Sequence, residues 1–302
     1  MNQPLNSALE SDNRPVLSHE ETDILLQQVA EQITLNTFDV NDHAVITQLI
    51  ECLGDTRGMT RLRAAETLGE IGEPATPFLI QALLNHANVV VRRAAAKTLT
   101  LIGDPDAVPS LIHAMLNDED TVVNGSAAGA LARTGEAAAP ELLSILGSPD
   151  HSESIKGHAA WALAFMGSEA EPYLYQALSS DSSEVRAAVI GAIAKVIQEK
   201  SEDGPVDILI NALDDPAEIV RSEAAAVLGN LAHTPAVPNL IPLLQHSEWE
   251  TRKSAALSLM KIGDKTALPA LQATLEKESD EAAQRILQLA ISQLDKHQDD
   301  DW

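Results

Sequence analysis

Residues Pro77–Gly103 read PFLIQALLNHANVVVRRAAAKTLTLIG, and residues Pro238–Gly263 repeat the layout as PNLIPLLQHSEWETRKSAALSLMKIG. A proline opens a short apolar helix, where its missing N–H costs nothing in the first turn. A brief polar turn follows. A second helix then carries a basic residue, Ala-Ala, Leu and a last apolar residue before glycine. Val91, Ala94, Ala95, Leu99 and Ile102 recur with the 3.6-residue period of a buried helical face. Gly103 ends that helix as a C-terminal cap. The closing glycines Gly72, Gly103, Gly135 and Gly167 stand 31, 32 and 32 residues apart, and Gly263 follows Gly167 by 96, three further periods. A fixed period of this length predicts stacked helix pairs sharing one elongated core. The expected fold is all-α, a right-handed α-solenoid of about seven to eight helix pairs.

The repeat sets the domain organisation. Residues 1–17 are polar and proline-punctuated and are expected to be a disordered tail. Residues 18–295 are expected to form a single solenoid, and 296–302 an acidic tail. Ser18 and Glu21 form a capping box for a first helix with a stripe of Ile24, Leu25, Val29 and Ile33. Residues 267–294 read as a degenerate last unit with a polar outer face, as a terminal cap requires.

Composition narrows function. Of the 302 residues, 45 are acidic and 20 basic, a formal net charge of −25. A nucleic-acid ligand is not expected, because phosphate binding needs clustered Lys and Arg. An anionic membrane surface is disfavoured for the same reason. The amino terminus lacks the basic start and apolar core of a secretory signal, and no apolar run approaches spanning length, so a cytoplasmic location is expected. One cysteine, Cys52, allows no internal disulfide. His151 and His158 stand seven apart with no third ligand nearby, so no metal site is expected. Cys52, near the end of a first helix, reads as a buried inert thiol.

The unit, and the central block VVNGSAAGALARTG followed by IKGHAAWALAFMG, resemble the HEAT-like repeats of the cyanobacterial phycobilisome lyase family, over roughly residues 40–290. In such repeats a basic residue on the second helix braces neighbouring turns. Here that position reads Arg61, Arg92, Asn124, Lys156, Arg186, Arg221 and Arg252, with Asn124 the central departure. The second helices line the concave wall of such solenoids. On that expectation one outward column reads Glu66, Lys97, Gly129, Trp161, Gly191, Ala226 and Leu257. Its neighbour reads Leu62, Arg93, Gly125, Gly157, Ala187, Ser222 and Lys253. The centre is therefore glycine and alanine around one tryptophan.

A helix-interior glycine costs about 1 kcal/mol relative to alanine. Gly125, Gly129, Gly157 and Gly191 must therefore reflect either crowding between helices or the approach of something large from outside. Trp161 beside them suggests a flat-floored apolar pocket. His158, one turn earlier, is expected to be half-buried. The candidate binding wall comprises Trp161, His158, Lys156, Asn124, Gly125, Gly129, Gly157, Gly191, Arg93 and Lys97.

The family resemblance implies E/F-type bilin lyase action, attaching a linear tetrapyrrole to a phycobiliprotein cysteine. The bilin, phycocyanobilin-like, would be a transient ligand rather than a tightly bound cofactor. Stacking on the glycine–tryptophan wall and pairing of its propionates with Arg93, Lys97 or Lys156 would hold it. The resemblance also admits a non-catalytic reading, a scaffold for phycobilisome turnover or for an iron–sulfur carrier. Either way the partner is another protein, a phycobiliprotein subunit or an assembly factor. No catalytic residue follows from a motif, and no histidine adjoins Cys52.

Overall fold

The computed structural model describes residues 17–200 and 206–296. The expected tails lie outside these residues, apart from Leu17 and Lys296. Among the described residues every regular element is helical. The chain gathers into two compact units, Met1–Ser110 and Leu111–Trp302.

The first unit contains α1 (His19–Thr34), α2 (His43–Cys52), α3 (Gly58–Ile71), α4 (Thr76–Asn85) and α5 (Val89–Ile102). α1 and α2 pack on α3, α4 packs on α5, and α3 lies against α5. The capping box of α1 is present: the Glu21 N–H donates to Ser18 Oγ and the Ser18 N–H donates to Glu21 Oε2. Its buried face differs from the expected stripe. Thr22, Leu26 and Val29 are buried, whereas Ile24 is exposed. Ile24 lies two residues before Leu26, about 200° around the helix, and so faces away.

α6 (Val108–Asn117) carries the chain into the second unit. There follow α7 (Thr121–Arg133), α8 (Ala139–Gly147), α9 (Glu153–Met166), α10 (Glu171–Ala177), α11 (Ser183–Lys200) and α12 (Val206–Ala212). The unit ends with α13 (Glu218–Asn230), α14 (Val237–Leu243), α15 (Trp249–Ile262), α16 (Leu268–Leu275) and α17 (Glu281–Lys296). Each even-numbered helix from α8 packs on the odd-numbered helix after it, and α7, α9, α11, α13, α15 and α17 pack side by side. This is a solenoid of HEAT-like helix pairs. Leu131, Leu142, Leu163, Leu174, Leu209 and Leu228 are fully buried between the layers. Each such side chain contributes about 1.5–3 kcal/mol of burial.

Prolines stand in the first turns of α4, α8, α10, α14 and α16, as the repeat requires. Gly103 closes α5 in the left-handed conformation, φ 70° and ψ 21°.

The basic column braces the turns through one recurring bond. Each arginine of the column donates to the carbonyl six residues earlier: Arg61 to Asp55 at 2.6 Å, Arg92 to His86 at 3.2 Å, Arg186 to Ser180 at 2.8 Å, Arg221 to Asp215 at 2.7 Å and Arg252 to His246 at 2.9 Å. The turn carbonyls would otherwise be left without donors. In the second unit three of these arginines also hold an acid of the following repeat. Arg186 grips Asp215 with two bonds of 2.9 Å, Arg252 grips Glu278 at 2.8 and 3.0 Å, and Arg221 pairs with Glu248.

Asn124 does the same task with a shorter side chain. Its Nδ2 donates to Asp118 O at 3.0 Å and to Ala114 O at 3.1 Å, and the residue is buried. Asn124 therefore belongs to the bracing layer rather than to the wall on which it was expected.

Candidate functional site

The candidate site is built on α9. Ala159, Ala162, Leu163 and Met166 anchor its inner face. Trp161 and Phe165, four residues apart, share the opposite face. Each is 52% exposed, their ring centroids lie 5.4 Å apart, and their planes are inclined by 29°. The two rings form a ledge of exposed aromatic surface. Phe165 was not singled out from the sequence, although its spacing from Trp161 was there to find it.

The glycines around the ledge separate into classes. No neighbouring atom lies within 4 Å of a Cβ added at Gly129 on α7 or at Gly157 on α9. Crowding by neighbouring helices therefore does not explain them. At Gly125 the nearest atom would be His158 Nε2 at 3.8 Å, an ordinary contact. At Gly191 on α11 an added Cβ would meet Glu223 Oε1 at 3.0 Å. Gly229 on α13 is the packing case: a Cβ there would lie 2.8 Å from Ser258 Cα on α15.

His158 is half-buried, and its Nδ1 is buried with no hydrogen-bond partner among the described residues. Lys156, also half-buried, lies close enough to Glu184 to act on it. The Glu184 carboxyl is held below its ordinary range first by its own backbone N–H, then by Ser182, with Lys156 a smaller contributor. Burial raises the Glu223 carboxyl above its ordinary range.

Arg93 and Lys97 belong to the first unit. There they line a groove of about 450 Å³ between α3 and α5, with Arg61, Leu62, Ala65, Val90, Ala94 and Leu101. Leu62 and Leu101 are exposed in it. The groove thus pairs an apolar floor with three cations in a strongly acidic chain. Of the expected wall residues, these two lie in the first unit. Trp161, His158, Lys156, Gly125, Gly129, Gly157 and Gly191 lie in the second, on α7, α9 and α11.

Cys52 is buried, and its thiol is pushed up to about 11, chiefly by burial and then by Asp55. It is protonated near neutrality and a poor nucleophile. Among the described residues, no group of three or more His, Cys, Asp or Glu could hold a metal ion, and no helix is long and apolar enough to cross a membrane. The chemistry on offer is stacking, apolar contact and pairing with carboxylates.

Comparison with known proteins agrees with this architecture. HEAT-repeat models match residues 76–153, 139–203 and 206–292, and the phycobilisome (PBS) lyase HEAT-like repeat matches residues 60–85. The bilin biosynthesis protein MpeU of Synechococcus sp. (strain WH8020) is 39% identical over 97% of this chain and 99% of its own length. The phycocyanobilin lyase subunit alpha of Nostoc sp. (strain PCC 7120) is 42% identical over 77 residues, 23% of this chain and 28% of its own. Among solved structures, importin beta superposes with a TM-score of 0.51 at 15% identity, over 90% of this chain and 43% of that one, a likeness of fold.

Proposed function

Because the chain belongs to the family of HEAT-repeat proteins that includes the bilin biosynthesis protein MpeU, we propose that it binds a linear tetrapyrrole and orients it for thioether attachment to a phycobiliprotein cysteine. One observation carries the reading on this chain's own residues. Trp161 and Phe165 stack in the open beside Gly129 and Gly157, helix-interior glycines that none of the described residues crowds. Together the two glycines forgo about 2 kcal/mol of helix propensity. An outside ligand that needs a flat floor accounts for that loss.

A bilin is a long conjugated chain of four rings with two propionates. Its rings suit the aromatic ledge, and its carboxylates suit a cation such as Lys156 on the same helix. Thioether formation adds the acceptor's S–H across the exocyclic double bond of a terminal ring. A C–S bond forms, the double bond is consumed, and the thiol proton ends on the adjacent carbon. No leaving group and no redox partner are needed. The thiol belongs to the acceptor, which explains why Cys52 can be buried and protonated. Holding bilin and acceptor in register lowers the barrier by removing the entropic cost of their encounter.

The test mixes the purified protein with phycocyanobilin and an apo-phycobiliprotein subunit, following covalent attachment by zinc-stained denaturing gels and by absorbance. Attachment faster and more homogeneous than the spontaneous reaction is expected. A rate equal to the spontaneous one, with no bilin binding by titration, overturns the reading.

A further inference from the structure

One ionisable group at the boundary of α11 and α13 has no hydrogen-bond or ion-pair task among the described residues. Glu223 stands on α13, three residues after the buried Val220. Its carboxyl reaches back over α11, so that Glu223 Oε1 would lie 3.0 Å from a Cβ placed at Gly191. The turn acids Asp215, Glu248 and Glu278 behave differently: each is held by an arginine.

The location gives the group its meaning. Gly129, Trp161 and Gly191 occupy equivalent positions, six residues after Val123, Ile155 and Val185, on the neighbouring helices α7, α9 and α11. The Glu223 carboxyl therefore sits beside the Gly191 end of this strip. Glycine at 191 leaves it room, because a methyl there would be tighter than ordinary contact. Burial keeps the carboxyl above its ordinary range, so the charged form is costly until donors reach it.

We propose that Glu223 is a ligand-positioning residue, a carboxylate that accepts hydrogen bonds from the ring N–H groups of a bilin lying across Trp161 and Gly191. This rests on the bilin reading above. A linear tetrapyrrole carries its N–H donors on one edge and its propionates on the other. A lone acceptor at one end of an apolar strip selects which edge turns inward, and so which face of the terminal ring meets the acceptor thiol.

The test titrates phycocyanobilin into the full-length protein, the Glu223→Gln variant and the Gly191→Ala variant. Affinity and the position of the long-wavelength absorption band are measured, with thermal melts of each protein. Hydrogen bonding of the ring N–H groups to a carboxylate polarises the conjugated system, so the band of the bound bilin should shift in the wild type. Glu223→Gln should weaken binding about tenfold and abolish the shift while melting no lower. Gly191→Ala, which displaces the carboxyl without removing it, should also lose the shift. Wild-type binding with the same affinity and the same band in Glu223→Gln overturns the role of Glu223 and leaves the bilin reading intact. If Glu223→Gln melts lower, an unshifted spectrum in Gly191→Ala relative to wild type overturns the role. A wild-type protein that binds no bilin overturns both.

Discussion

Replacing Gly129 and Gly157 with alanine should stabilise the protein and damage its function together. Each glycine lies inside a helix, Gly129 in α7 and Gly157 in α9, and an added methyl meets nothing within 4 Å. The folded state therefore has no steric objection. Alanine gains about 1 kcal/mol per site from helix propensity and from reduced freedom of the unfolded chain. The two sites are on different helices and should add to about 2 kcal/mol. With an unfolding entropy of about 2.1 cal/mol/K per residue, that raises Tm by roughly 3–5 °C, depending on whether the second unit or the whole chain melts as the cooperative body. Circular dichroism melts measure it, with guanidinium titration as an independent check. Bilin titration of the same protein should show affinity reduced about tenfold, since two methyls lift the rings from their floor. Gly229→Ala is the control of opposite sign. Its methyl would strike the Ser258 backbone at 2.8 Å, and overpacking of this kind costs about 1–3 kcal/mol. A Gly129→Ala, Gly157→Ala protein that melts lower than wild type would refute the open-face argument. One that melts higher but binds bilin unchanged would refute the placement of the ligand.

Trp161→Ala should cost about 2 kcal/mol of ligand binding, roughly 30-fold in Kd, with little change in Tm, because half of the ring is already in solvent. A variant that melts much earlier yet binds normally would make Trp161 a packing residue. Cys52→Ala should leave bilin binding and attachment rates unchanged while costing about 1–2 kcal/mol of stability by denaturant titration; loss of binding without loss of stability would show that the thiol takes part. The arginine braces predict acid sensitivity with a defined sign. Arg57, just before α3, pairs with the Asp55 carboxylate at 2.9 Å and lowers it from its ordinary 3.8 to about 2, mainly by side-chain hydrogen bonding, and the braces Arg186 and Arg252 likewise lower Asp215 and Glu278. Their stabilisation is complete above the ordinary carboxylate range and is lost as pH falls through the depressed values. Tm should therefore drop steeply below about pH 4, and Asp215→Asn should lower Tm at neutral pH while flattening that drop; an acid limb identical to wild type would show that the Asp215 pair contributes nothing.

The solenoid was legible because each of its devices is local. A proline in a first turn, a 3.6-period apolar face and a closing glycine all act within about 30 residues, and the repeat states them many times over. The bracing column was legible for the same reason, since its recurring bond spans only six residues. Its one misreading came from the same logic. Asn124 was placed on the wall because its side chain departs from arginine, yet its amide is long enough to reach Asp118 O from a buried position. A change of residue type was read as a change of role, when the bond had been kept.

The candidate site was half legible, and the division follows sequence distance. Trp161 and the glycines could be aligned because equivalent positions repeat. Whether those glycines were crowded could not be read, because crowding depends on how far one helix stands from the next. Gly129 and Gly229 look alike in sequence, but nothing lies within 4 Å of a Cβ at the first, while the second touches a neighbouring backbone. Glu223 lies furthest from what a sequence displays. In its own repeat it is one more acid on an acidic helix. Its significance comes from reaching back 32 residues, across one inter-helix boundary, to the glycine that leaves it room. A repeat protein writes its fold in what recurs, whereas its chemistry lies in side chains that cross from one repeat to the next, and those crossings have no period to reveal them.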